Sequence, residues 1–136
     1  MIRLFSTIPH VAIVLLSVSA LALGACGDEE KGDAKKSANA LTDFYYTSWK
    51  APSADWEVRK VRPGKESDVT VEAKVVTKTL TKKIMERSRM EQMEIARMVC
   101  PDYTDKIWTK IEKKHSVGVV LSGSGGHIIN ALCKRP

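Results

Sequence analysis

Apolar side chains recur along this chain with two different periods, and the switches between them predict its elements. Leu41, Phe44, Tyr45 and Trp49 fall at helical spacing, one face of a short helix that Pro52 ends. Residues 56–62 and 68–76 then read as strands. In the second, Val69, Val71, Ala73 and Val75 take every other position, and Pro63-Gly64 supplies the turn between the two. Over residues 79–99 the period lengthens again. Leu80, Ile84, Ser88, Ile95, Met98 and Val99 lie within an arc of about 100°, which Met85 and Ala96 widen. Lys82, Lys83, Glu86, Arg87 and Glu94 fall outside it, so one main amphipathic helix is predicted, stopped by Pro101.

Residues 102–114 fit two patterns. Tyr103, Ile107, Trp108 and Ile111 make a helical stripe, whereas Ile107, Thr109 and Ile111 alternate as in a strand; a short helix is preferred. After His115 the alternation returns in Val117, Val119 and Leu121. Ser122-Gly123-Ser124-Gly125-Gly126 then turns the chain and Ile128 to Leu132 leads it back, a hairpin. The predicted fold class is α+β: a small antiparallel sheet of about four strands (56–62, 68–76, 116–122, 127–133) packed against one main helix, with one or two short helices.

The N-terminal part is patterned differently. Residues 27–39 (GDEEKGDAKKSAN) carry no large apolar side chain, two glycines and mixed charge, and so predict a flexible tether with a reach of about 20 Å. Before them, Val11 to Leu23 is a mostly apolar run of 13 residues, preceded by a single charge, Arg3. As a helix it would extend about 20 Å, short of the ~30 Å hydrocarbon core, and small residues follow it, as in the apolar core of an export signal. Three segments result: a leader over 1–25, a tether over 26–39 and a single domain over 40–136.

The junction reads Leu23-Gly24-Ala25-Cys26. An aliphatic residue, two small residues and a cysteine resemble the lipobox of bacterial prolipoproteins, although Gly24 stands where alanine or serine is more usual. The resemblance implies cleavage before Cys26, transfer of a diacylglyceryl group to its thiol, and acylation (palmitate or a similar chain) of its new amine. Two or more acyl chains anchor a protein stably, where one gives marginal binding. Gly27 follows, where the family's inner-membrane retention signal would be aspartate. The implied place is therefore the outer membrane, facing the periplasm, if the organism has two membranes. The resemblance covers the leader and Cys26 alone; residues 40–136 resemble no family.

That placement gives the remaining cysteines a meaning. With Cys26 lipidated, Cys100 and Cys133 are left as an even pair in an oxidising compartment, which reads as a disulfide between the end of the main helix and the end of the last strand. A domain of fewer than about 100 residues has a thin core that such a link would reinforce. The formal charge of +6 is spread through the chain and interleaved with acids, so no nucleic-acid partner is expected.

Candidate chemistry is sparse. His115 and His127 bracket the final hairpin and are expected on its solvated surface; with no further ligand at metal spacing, no metal site is predicted. The glycine-rich 122–126 turn lacks the helix and lysine of a phosphate loop. Met85, Met90, Met93 and Met98 read as packing, and Glu91 and Glu94 as solubilising charge. No enzyme and no cofactor is expected. The function these features imply is a membrane-anchored, non-enzymatic envelope lipoprotein that docks a partner protein, with Phe44, Tyr45 and Trp49 as candidate partner-facing aromatics. The alternative is a periplasmic binder of a small ligand, lipid or anion in a sheet–helix cleft.

Overall fold

The computed structural model describes residues 25–64 and 68–136. The expected leader up to Gly24, and with it the start of the lipobox, lies outside these residues. The chain forms an α+β fold in the order α1 (Ala25–Thr47), β1 (Trp56–Pro63), β2 (Val69–Val75), α2 (Lys78–Met85), α3 (Arg89–Arg97), a 3-10 turn (Lys106–Thr109), β3 (Val117–Gly123) and β4 (Gly126–Leu132). The strands make one sheet in the order β1-β2-β3-β4. Both outer pairs are antiparallel, but β2 and β3 run parallel, so the sheet is mixed and not antiparallel as expected. The reason is the connection. A hairpin reverses the chain, whereas residues 76–116 travel through α2, α3 and the 3-10 turn and return it to the starting end of the sheet.

Alternation on the two central strands works as the sequence implies. Val69, Val71 and Val75 are fully buried, as are Val117, Val119 and Leu121 on β3. The register aligns Val71 with Val119 and Ala131, and Ala73 with Leu121 and Ile129, so these side chains form continuous rows on one face. Three helices cover that face: α1 packs on β1 and β2, α2 on β2, and α3 on β4 and β3. Leu41, Ala96, Val99, Ile107, Trp108 and Ile111 complete the core.

Three expectations are corrected. Residues 27–39 are not a flexible tether. They are helical, and Ser37 and Ala38 are buried, so the domain begins before residue 40. Small side chains there do not mark a solvated linker; they let the helix approach the 3-10 turn and the loop before β3 closely. Second, the main helix is two helices, broken at residues 86–88. Ser88, expected on the apolar arc, is the N-cap of α3: its hydroxyl accepts from the Glu91 N–H, and the Glu91 carboxylate accepts from the Ser88 N–H at 2.9 Å. This is a capping box, and satisfying donors at a new helix start competes well with continuing the old helix. Third, the short helix preferred for residues 102–114 is formed, but as a 3-10 helix confined to Lys106–Thr109, which buries Ile107 and Trp108.

Candidate functional site

Among the described residues, no helix lies across the second face of the sheet. Strand register places three rows of side chains there: Arg62–Thr70–Gly118–Leu132, then Lys60–Glu72–Val120–Asn130, then Glu57–Lys74–Ser122–His127. The first row has a gap, because Gly118 contributes no side chain between Thr70 and Leu132. At that gap lies a cleft of about 570 Å³. Arg62, Thr70, Val120, Asn130 and Leu132 line it from the sheet, and Met93 and Arg97, one helical turn apart on α3, close it beyond the β4 edge.

Its charged groups are held in place. The Arg62 Nε–H donates to the Glu72 carboxylate at 2.6 Å across the β1–β2 pair. The Arg97 Nε–H donates to the Leu132 carbonyl at 3.1 Å, and its guanidinium also pairs with Glu94. Two guanidinium groups therefore stand at opposite ends of a floor made of Gly118, Val120 and the exposed side chain of Leu132. An isolated glycine within the strand run Val117 to Leu121 is a sequence signal of close approach or missing side-chain volume. The arginines carried no comparable signal.

Cys100 and Cys133 form the expected disulfide, with Cα atoms 5.6 Å apart. Cys26 falls in the first described turn of α1, not in a coil. The partner-facing aromatics are corrected. Tyr45 is buried, and Phe44 and Trp49 pack half-buried against the core. The Tyr45 ring meets both neighbours edge-on, at 5.3 Å and 5.5 Å, and its hydroxyl donates to the Val99 carbonyl at 2.8 Å. Burial raises the Tyr45 pKa above the ordinary phenol value, and the Asp105 carboxylate adds to the rise. Tyr46 is the aromatic of this helix that faces solvent, 80% exposed.

The histidines do not come together. His127 is exposed on the hairpin, with Nε2 at 2.8 Å from Asn130 Oδ1. His115 is buried, against expectation, with Nδ1 at 3.0 Å from Ser37 Oγ. A serine–histidine contact of that length invites a catalytic reading. However, Ser37 is fully buried and its hydroxyl also accepts the Glu112 N–H at 3.3 Å, so the pair ties α1 to the loop before β3. Among the described residues no group of three or more His, Cys, Asp or Glu side chains is placed to hold a metal ion, and no helix is long and apolar enough to cross a membrane.

The C-terminal Arg135 was not foreseen. Its guanidinium donates to the carbonyls of Ile111 and Glu112 at 2.8 Å each, of His115 at 3.2 Å and of Trp108 at 3.4 Å, and it lies over the Trp108 ring. One side chain thereby gathers a carbonyl of the 3-10 turn and three from the loop that follows it.

Fold and cleft together define a small, disulfide-linked α+β domain whose mixed sheet is covered by helices on one face and, among the described residues, by none on the other. No protein-family model, curated protein or solved structure matches the chain.

Proposed function

We propose that this protein is an envelope lipoprotein, held at a membrane by lipid on Cys26 and facing the periplasm from the outer membrane where two membranes are present. Its domain acts as a non-enzymatic docking module, and the open sheet face is the docking surface. The observation that carries this reading is the one-sided sheet: three helices crowd one face, while the other exposes a cleft with Leu132 at 56% exposure. Exposed apolar surface framed by charge is the usual composition of a recognition site. The Leu23-Gly24-Ala25-Cys26 motif supports the anchor.

The test places a photo-crosslinking side chain at Leu132 or Asn130, and at Lys82 as a control on the helical side, in the intact lipoprotein and in Cys26→Ser. Adducts formed from the sheet positions alone, and lost without the anchoring cysteine, are the expected result. Equal crosslinking from Lys82, or yields unaffected by Cys26→Ser, overturns the docking reading. Clickable fatty-acid labelling of the two forms checks the anchor separately.

A second reading is favoured by one specific observation. A cleft of about 570 Å³ lies within the range of small-molecule sites, roughly 300–1,000 Å³. On this reading the domain binds a small ligand, lipid or anion presented at the membrane surface.

A further inference from the structure

We infer that the cleft takes an anionic amphiphile with a single alkyl chain, its carboxylate or phosphate head held by Arg62 and its chain laid across the sheet towards Leu132. The inference rests on the ligand-binding reading of the cleft and does not depend on lipid at Cys26.

The floor carries the first part of the argument. It is the face of a sheet, so the backbone N–H and C=O groups of β3 beneath it are committed to ladders on both sides. A peptide laid there would bring polar backbone groups that find few partners, at a cost in desolvation. An alkyl chain brings none. Gly118 leaves room for it, Val120 and Leu132 offer aliphatic contact, and Met93 closes the side with a flexible thioether suited to irregular shapes. From β1 to β4 the sheet is about 14 Å wide, three strand spacings, which fits a medium-length acyl chain.

The head group follows from Arg62. Glu72 engages its Nε–H, which fixes the plane of the guanidinium and, among the described residues, leaves the two terminal NH₂ groups to a ligand. That planar fork matches a carboxylate or phosphate in two-point geometry. Its side chain is 48% exposed, so a ligand can reach it from solvent. Arg97 at the far wall is engaged differently, through Nε on the Leu132 carbonyl, and holds the chain end of the cleft in shape. A purely polar anion would leave the aliphatic floor unused, and an uncharged amphiphile would leave Arg62 unused.

The test uses the full chain with Cys26→Ser, followed by ¹H–¹⁵N NMR. Dodecanoate and a lysophosphatidylglycerol, each below its micelle concentration, are the probes, with dodecyltrimethylammonium and dodecyl maltoside as controls. Saturable shifts of the Gly118, Val120, Asn130 and Leu132 amides are expected with the anionic probes, and the two arms distinguish a free carboxylate from a phospholipid head. Arg62→Gln and Leu132→Glu are both at exposed positions, and each weakens binding about tenfold or more; Lys82→Gln leaves it unchanged. If dodecyl maltoside binds as tightly as dodecanoate, or Arg62→Gln has no effect, the anionic ligand is wrong while a ligand cleft survives. If no probe shifts these amides, the inference and the ligand-binding reading fall together.

Discussion

Breaking the Cys100–Cys133 bond is the perturbation whose size the structure sets best. The two residues are 33 apart in sequence, so the bond closes a loop that contains the 3-10 turn and all of β3 and β4. Chain-entropy reasoning gives about 3.8 kcal/mol of stabilisation for such a loop, arising mainly from restriction of the unfolded chain. A domain of this size has a net stability of roughly 5–15 kcal/mol, so the link can supply a large share of it. Other contacts hold the same junction, notably Arg97 on the Leu132 carbonyl and the Cys133 N–H on the Val117 carbonyl at 2.9 Å. The double variant Cys100→Ala, Cys133→Ala should therefore still fold in the cold. Urea unfolding followed by tryptophan fluorescence should show the midpoint falling and the slope m rising, because an unfolded chain without the cross-link exposes more surface. In melting temperature the loss corresponds to roughly 15–30 °C. A loss below about 1 kcal/mol with m unchanged would refute the claim that the bond acts on the unfolded state. Alkylatable thiols at both Cys100 and Cys133 in protein isolated without reductant would refute the bond itself.

Other perturbations probe single contacts. Arg135→Lys replaces a planar fork that reaches four carbonyls with a compact ammonium, and should cost about 2 kcal/mol in urea unfolding, with the 3-10 turn loosening first in hydrogen exchange. Tyr45→Phe leaves the buried Val99 carbonyl without its donor and should cost about 1–2 kcal/mol. Because the folded-state pKa of Tyr45 is raised, the wild-type protein should lose stability as pH rises above the ordinary tyrosine value near 10, where only the unfolded chain ionises; Tyr45→Phe removes that part of the alkaline loss. Glu91 shifts the other way, lowered chiefly by its hydrogen bonds from the Ser88 hydroxyl and N–H. Its capping is complete above the ordinary glutamate value and is lost as pH falls through the lower folded value. Amide shifts at the start of α3 should follow that acid titration, and Glu91→Gln should abolish it.

What was legible in the sequence follows from which forces are local. Strand alternation reports burial on one face directly, so all four strands fall within a residue or two of their expected ranges. The cysteine pair was legible because the resemblance at Cys26 removed one thiol and left two. The capping box was present in the string Ser88-Arg89-Met90-Glu91, yet the helical period ran on through it: Ser88 falls within the apolar arc, where periodicity alone reads it as a helix interior. The cleft is different in kind. Arg62, Gly118, Leu132 and Arg97 meet only because β2 and β3 pair in parallel and bring β1 and β4 to opposite edges, and no short-range pattern encodes that pairing. Arg135 is likewise an isolated charge in sequence, and its role exists only where the 3-10 turn and the loop before β3 point carbonyls at it.

The helical state of residues 27–39 changes what an anchor would do. A coil of that length lets a domain wander over a radius of about 20 Å in any orientation. A helix instead gives a directed rise: from Cys26 to Ser37, which is fully buried, is about 16 Å at 1.5 Å per residue. Asp33 already pairs with Lys114 at 3.3 Å, and Ser37 with His115, so the last turns of this segment belong to the domain and cannot swivel independently. Lipid on Cys26, as proposed, would then specify an orientation as well as a height. On that proposal, since α1 lies on the helix-covered face of the sheet, the cleft on the other face would be turned away from the anchoring helix. The same small, polar residues that suggested a leash are those that let a helix lie flush against His115 and Glu112. Composition without large apolar side chains argues against a core, but it does not argue against a helix packed by close approach.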